Sequence, residues 1–403
     1  MAIETKKQCK SVNWLLLTSL MGLTACSLPT RQQAVPQHWS DKAEVVGLPG
    51  VRYVVHDDMP QATQEGMESL KKELAYRATQ AQFDKNALPP ANFLALSGGG
   101  DDGAFGAGVL CGWTENGKRP EFKLVTGIST GALLAPFAFL GPQYDAALKA
   151  VYTQTSPDDI LEARGILAAV FDDALADNAP LAKLVERYIT ADMLKQIANE
   201  YSKGRLLLMA TTNLDARQAV IWNMTKIAAS GHPQALELFH KIMVASAAIP
   251  GAFPPAMIDV EVDGKTYQEM HVDGGAQAQV FVYPPSLKLS DAAKQQGVSR
   301  DRHLYVIRNA RLDSDWAEVE RQTLSIAGRA ITSLIQSQGV GDLYKIYSTA
   351  QRDGLDYNLA YIPKTFNVPH KEDFGSEYMQ QLFQTGYWMA VKGYDWQKSP
   401  PGM

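Results

Sequence analysis

Cysteine is scarce in this chain: there are three among 403 residues, Cys9, Cys26 and Cys111. Positive charge is not in excess, since 38 Lys and Arg stand against 43 Asp and Glu, a formal net charge of −5. That balance argues against nucleic acid as a partner and against binding anionic lipid through a basic surface. The apolar run Trp14 to Leu23 is too short to span a bilayer. No internal repeat is visible, and after the glycine-rich stretch near residue 100 no Gly-Lys-Ser/Thr follows, as a nucleotide-binding P-loop would require. What is present is an ordinary globular composition, 46% hydrophobic and 20% charged, able to bury a substantial core. The length suits one large α/β domain with an N-terminal extension.

Residues 1–25 read as an export signal, with Lys6, Lys7 and Lys10 ahead of the apolar run. The run ends in Leu23-Thr24-Ala25-Cys26, which resembles the lipobox of bacterial lipoproteins. There the signal is cut before the cysteine, and the new N-terminal Cys26 carries acyl chains. A plain secretory signal or an uncleaved anchor is the alternative. On the lipoprotein reading, loss of Cys9 and acylation of Cys26 leave Cys111 as a free thiol and no intrachain disulfide. Loss of three lysines and Glu4 moves the formal charge to −7, so membrane attachment has to come from the acyl chains. Ser27 after the cysteine favours the outer membrane of the cell envelope, by analogy with lipoprotein sorting.

Residues 26–45, with Pro29, Pro36 and several Gln and Ser, suggest a tether, and 46–90 an N-terminal extension holding an apolar piece at Val51–Val55 and a helix over Gln61–Phe83. From Phe93 short apolar strands alternate with longer helical segments, the signature of a largely parallel sheet covered on both faces. Strands are expected at Phe93–Leu96, Phe122–Thr126, Leu206–Ala210, Ala219–Trp222, Met270–Val272, His303–Ile307 and Tyr357–Ile362. Helices are expected at Gly103–Trp113, Thr130–Leu140, Leu181–Ile189, Gln234–Ala247, Trp316–Thr349 and Ser376–Val391. The fold class is α/β, a three-layer α/β/α sandwich, with a catalytic core over 91–310 completed by 311–403.

The first strand runs into Ser97-Gly98-Gly99-Gly100-Asp101-Asp102-Gly103 ahead of a helix. Successive glycines let main-chain N–H groups crowd round one point, and at a helix N-terminus those donors suit a phosphate or an oxyanion. Taken alone, the spacing fits a dinucleotide site or a tight turn about as well. The second strand ends in Gly127-Ile128-Ser129-Thr130-Gly131 before the apolar run Ala132–Leu140, a nucleophile-elbow pattern in which flanking glycines permit a sharp strand-to-helix turn. A serine that merely caps the helix is the bland reading. A serine needs a base, and Asp273-Gly274-Gly275 after an apolar-polar stretch is the best placed, although Asp-Gly also simply opens turns.

Gly98-Gly99-Gly100-x-x-Gly103, Gly127-x-Ser129-x-Gly131 and Asp273-Gly274-Gly275 occur in the order and rough spacing of the patatin-like phospholipases, and the chain resembles that family over about residues 91–310. The similarity extends to Asp177-Asn178-Ala179-Pro180-Leu181, to Leu207–Asp215 and to Ala245–Pro254. The resemblance implies a serine–aspartate dyad without histidine, with Ser129 as nucleophile, Asp273 as base, and amides around Gly99, Gly100 and Asp101 as the oxyanion hole. It implies hydrolysis of carboxylic esters of lipids through an acyl-enzyme, with no cofactor and no metal. The position of the glycine loop that the family fills with Arg or Lys holds Asp102 here, beside Asp101. These two carboxylates either face the substrate, disfavouring anionic lipids, or cap the following helix. His271, two residues before Asp273 on one strand face, raises the rival of a Ser-Asp-His triad in an α/β-hydrolase. A non-catalytic lipid- or nucleotide-binding lipoprotein is the reading from outside enzymology. The oligomeric state is not legible.

Overall fold

The computed structural model describes residues 31–55, 59–81, 83–84, 88–164, 173–314 and 316–403. The expected signal peptide and Cys26 lie outside the described residues. Twelve strands are present among them. They are β1 (Glu44–Val45), β2 (Arg52–Val54), β3 (Ala91–Leu96), β4 (Leu124–Gly127), β5 (Glu162–Ala163), β6 (Ala176–Asp177), β7 (Leu206–Asn213), β8 (Gln218–Asn223), β9 (Ala256–Val262), β10 (Lys265–Asp273), β11 (Arg302–Arg308) and β12 (Asp356–Tyr361). Ten form one sheet in the order β1-β9-β10-β7-β4-β3-β11-β12, with β8 on the free side of β7 and β2 on β8, while β5 and β6 pair separately.

The sheet has two characters. From β7 through β4, β3 and β11 to β12 every pairing is parallel. These strands are buried on both faces, which is why β3 and β7 read as near-continuous apolar runs. On the other flank β8, β10, β9, β1 and β2 add by antiparallel pairing. β9 and β10 form a hairpin through Asp263-Gly264, both with positive φ (52° and 69°), the turn whose twist matches that of the strands.

Alternate residues divide the core in two. Leu94, Leu96, Val125, Leu207 and Met209 face the helices Gly103–Glu115, Thr130–Leu140 and Ala235–Ser246. Phe93, Ala95, Leu124, Leu206, Leu208, Leu304 and Val306 face the opposite layer, to which Met59, Leu343, Ile346 and Ala350 belong. The chain is thus a three-layer α/β/α sandwich with a parallel centre.

Helix Ser376–Val391 has its sequence-expected bounds and packs against helix Gly103–Glu115 at van der Waals contact of backbones. A Cβ on Gly108 would strike the Phe383 carbonyl, and one on Gly112 the Tyr387 carbonyl. The long C-terminal helix starts at Thr323, not Trp316, and runs to Asp353, where Gly354 (φ 67°) closes it in a left-handed cap. Its first half, with Ile326, Ile331 and Leu334, is exposed. Within the expected tether, residues from Arg31 on lie against the body: the Arg31 guanidinium donates two 2.8 Å hydrogen bonds to the Asp215 carboxylate. Among the described residues no helix is long and apolar enough to cross a membrane.

Candidate active site

The site forms where two strands share one edge of β7. Met209 of β7 pairs with Gly127, the last residue of β4, while two residues on Thr211 pairs with Asp273, the last residue of β10. Strand β8 holds the opposite edge throughout, Met209 facing Trp222 and Thr211 facing Val220. β4 and β10 therefore run toward each other and stop head to head, so that the residues just beyond Gly127 meet the end of β10.

Past Gly127 the chain turns sharply. Ser129 sits at φ 55°, ψ −128°, a conformation open to few L-residues, and helix Thr130–Leu140 begins directly after it. Strain of this kind costs about 1–3 kcal/mol and persists only where the surroundings hold it. They do: the Ser129 amide donates to Ser246 Oγ at 3.1 Å, and Ser246 Oγ donates to the Ala210 carbonyl of β7 at 2.7 Å. Gly131 lies so close to β3 that a Cβ there would overlap the Leu96 carbonyl.

Asp273 is held from its own side, its amide donating to the Ala248 carbonyl at 2.9 Å and its Oδ1 accepting from the Gly275 amide at 2.7 Å. Burial pushes the Asp273 carboxyl up to about 6, against the lowering effect of the nearby Ser129 hydroxyl and of the Gly275 amide bond. Both residues are nearly closed off, Ser129 at 7% and Asp273 at 4% exposure.

The glycine loop packs over the elbow. The Gly98 amide donates to the Gln279 carbonyl at 3.0 Å. Gly99 (φ 156°) abuts Asn309, whose carbonyl a Cβ would overlap. A single 3-10 turn, Gly100–Asp102, follows, and Gly103 opens the next helix. The first amides of such a turn have no acceptor within it. Gly100, Asp101 and Ser129 line one cavity with Leu133, Leu181, Leu184, Ile249, Phe253, Phe374 and Met379. It holds about 50 Å³, room for a few waters at most and not for a fatty acyl chain.

Asp101 and Asp102 do not cap the following helix, contrary to one expectation above. Both reach instead to the C-terminal segment. Asp101 Oδ2 accepts from His370 Nε2 at 2.7 Å and from the Phe374 amide at 2.9 Å, and Asp102 Oδ1 accepts from the Tyr378 hydroxyl at 2.6 Å. Burial carries the Asp102 carboxyl up to about 7, although the Tyr378 bond pulls it down. Burial pulls His370 down, but the bond and charge of Asp101 outweigh it and raise the imidazole above the ordinary range. Phe374 takes φ 59°, a left-handed conformation for a bulky residue, with its amide fixed on Asp101 and its side chain on the Ser129 cavity.

His271 does not turn toward Ser129. It is fully buried, with Nδ1 at 2.8 Å from Thr211 Oγ1 and Nε2 at 3.0 Å from Glu269. Burial holds it below the ordinary histidine value. No histidine among the described residues lines the Ser129 cavity.

Three residues that the sequence did not single out hold the loops together. Asn309 donates from its amide to Ser97 Oγ (2.8 Å) and from Nδ2 to the Ser97 carbonyl (2.9 Å), and its Oδ1 accepts from the Gly106 amide (3.1 Å). Gln279 accepts from Gly98 and donates Nε2 to the Gly275 carbonyl at 2.7 Å, tying the glycine loop to the Asp273 turn. Ser246 is the third. For Asn309 the one available signal was its position just past a parallel strand's carboxyl end, where α/β sites gather.

Residues 94–284 match the family model described as patatin-like phospholipase, a span that contains the glycine loop, the elbow and Asp273. The matched segment, a little under half of the chain, resembles a patatin-like phospholipase domain, and that family is one of lipid acyl hydrolases. Among solved structures, the crystal structure of VipD from Legionella pneumophila is similar over 76% of this chain and 67% of its own, at 13% identity and a TM-score of 0.33. No curated protein matches the chain.

Proposed function

We propose that this patatin-like protein hydrolyses carboxylic esters of lipids through a Ser129–Asp273 dyad and an acyl-enzyme. The observation that carries the reading is the strand register that brings the Ser129 elbow to the end of β10, beside a buried Asp273 carboxyl that burial raises to about 6. An ordinary carboxylate is too weak a base for an alcohol, and desolvation makes this one stronger while leaving it ionised at neutral pH. As Ser129 Oγ attacks the ester carbonyl, Asp273 takes its proton. The developing oxyanion faces the amides of Gly99, Gly100 and Asp101 at the head of the 3-10 turn, where fixed donors in a dry site stabilise charge. Collapse expels the alcohol, which receives the proton from Asp273. Water, deprotonated by the same carboxylate, then frees the fatty acid from Ser129.

The lipid character of the substrate is supported by the apolar lining around Ser129: Leu133, Leu181, Leu184, Ile249, Phe253, Phe374 and Met379. The cavity has to widen to accept an acyl chain, and Phe374, held in a strained conformation, is the residue whose displacement would do so. A dyad is favoured over a triad by the engagement of His271 with Thr211 and Glu269. The lipobox-like Leu23-Thr24-Ala25-Cys26 supports attachment to the outer membrane of the envelope through acyl chains on Cys26. Labelling by a fluorophosphonate probe, with lipidomic analysis of products from wild type beside Ser129→Ala, tests the reaction. Equal labelling and equal products in the two proteins would refute it.

A further inference from the structure

A second cavity lies on the other face of the sheet from the elbow helix, at the end where the parallel strands begin. It measures about 110 Å³. Its walls are largely apolar: Phe93, Leu124, Leu206 and Leu208 from the sheet, with Leu287 and Val298 across from them. Three cations, Lys123, Arg300 and Arg302, also line it.

The charges at that end do not balance. Glu73 takes two bonds from Arg300, at 2.7 and 2.9 Å, and an ion pair from Lys123 at 2.9 Å. Arg302 is left over. Among the described residues its guanidinium makes no hydrogen bond or ion pair, and burial together with the charge of Arg300 lowers its pKa. Asp353, whose field reaches it, is already bonded by Tyr283 and Arg352. Glu65, the carboxylate that lines the cavity, accepts from the hydroxyls of Tyr53 (3.3 Å) and Tyr201 (2.8 Å). A half-buried guanidinium beside an apolar cavity wants a planar anion, which arginine binds with two parallel N–H donors.

We infer that this cavity is a binding site for an aliphatic carboxylate, with the carboxylate on Arg302 and the alkyl chain among Phe93, Leu124, Leu206 and Leu208. Arg302 is paired with Ala91 at the start of β3, and Phe93 lies two residues further along the same face. The chain would therefore run up the sheet from the cation. The cavity is somewhat smaller than a dry apolar cavity of roughly 150 Å³ that takes a benzene-sized guest, which suits a short chain. The site is separate from the reaction at Ser129 and stands whether or not that reaction occurs.

Isothermal titration of the full chain with butyrate, hexanoate, octanoate and hexanol tests it. Hexanoate should bind at one site, and affinity should rise by about fourfold per added methylene until the cavity is full. Hexanol should bind about tenfold more weakly than hexanoate, because it lacks the charge that Arg302 holds. Arg302→Gln should bring hexanoate down to the level of hexanol while leaving hexanol unchanged. Gly66→Leu should abolish both, since a Cβ at Gly66 would stand 3.5 Å from Leu287 Cδ2, an ordinary contact, with the rest of the side chain in the cavity. Unaltered thermal unfolding shows that each variant is folded, and unaltered ester hydrolysis separates the site from Ser129. Absence of hexanoate binding to wild type would overturn the inference, as would hexanol binding as tightly as hexanoate, or wild-type affinity in both variants.

Discussion

Gly127 and Asp273 occupy consecutive stations on the same edge of β7, opposite Met209 and Thr211, one closing a parallel strand and the other an antiparallel strand. The proposed nucleophile and base, about 140 residues apart in sequence, are thereby brought together by hydrogen-bond register, with the Ser129 elbow then pinned by Ser246. Register is stiff, because a slip of one residue would exchange the two faces of the sheet.

Ser129→Ala and Asp273→Asn should each remove nearly all ester hydrolysis, the second by about a hundredfold or more as expected for loss of a general base. The double variant should be little worse than either, because the two act as a unit. Initial rates on a chromogenic ester check this, with circular dichroism for the fold. More than about a tenth of wild-type turnover in Asp273→Asn would count against the dyad.

The carboxyl of Asp273 moves from 3.8 to about 6 on folding, so the folded state binds more protons between those values and stability falls as pH rises through that window. The penalty is absent below about 3.8 and constant above about 6, at roughly 3 kcal/mol. Asp273→Asn should therefore stabilise the protein at pH 8, by about 1–3 kcal/mol, and not at pH 3.5. kcat/KM of the wild type should climb with an apparent pKa near 6 as the base ionises. Denaturant unfolding at the two pH values and a pH–rate profile decide both points. Asp102 ionises near 7, so the rate profile of Asp102→Asn separates its contribution.

Tyr378→Phe strips the half-buried Asp102 of its donor and should cost about 1–2 kcal/mol at pH 8, where the carboxylate is charged. Asp102→Asn keeps an oxygen to accept from Tyr378 and removes a charge held partly out of water, so it should be neutral or stabilising. Thermal unfolding of both variants tells them apart. Equal losses would mean that the Tyr378 bond does not hold the glycine loop.

Phe374→Gly relieves a left-handed φ of 59° and opens the cavity beside Ser129. Turnover of esters with long acyl chains should rise relative to acetyl esters, with acetyl turnover near the wild-type level. A chain-length series of p-nitrophenyl esters reads the ratio, and an unchanged ratio would remove Phe374 as the constriction.

The strands of the parallel centre were legible because burial on both faces writes them as apolar runs, and helix Ser376–Val391 because its pattern is regular to the end. β9 was missed although Asp263-Gly264 is a hairpin signal and Ile258 to Val262 alternates apolar and charged residues, because the strand has one solvent-facing side and no continuous apolar run of the kind that marks the parallel centre. The start of the helix at Thr323 was misjudged because Ile326, Ile331 and Leu334 in its first half are exposed, so no apolar stripe marks a buried face there. The elbow and the glycine loop were readable as local backbone demands. The roles of Asp101 and Asp102 were not, because their partners His370, Phe374 and Tyr378 lie some 270 residues away in sequence.

The bare contact between helices Gly103–Glu115 and Ser376–Val391 makes the C-terminal segment part of the foundation on which the proposed site rests. The first of these helices carries the glycine loop at its head, so a spacer of one methyl at Gly108 or Gly112 would tilt that head away from Ser129. A chimera spliced at the boundary of the family match, residue 284, would import the elbow and the aspartate but leave behind β11, β12, Asn309 and the helix on which the loop rests. The smallest transplantable unit that keeps the proposed site intact therefore reaches to Val391, and any library that shuffles patatin-like segments has to move the two helices together.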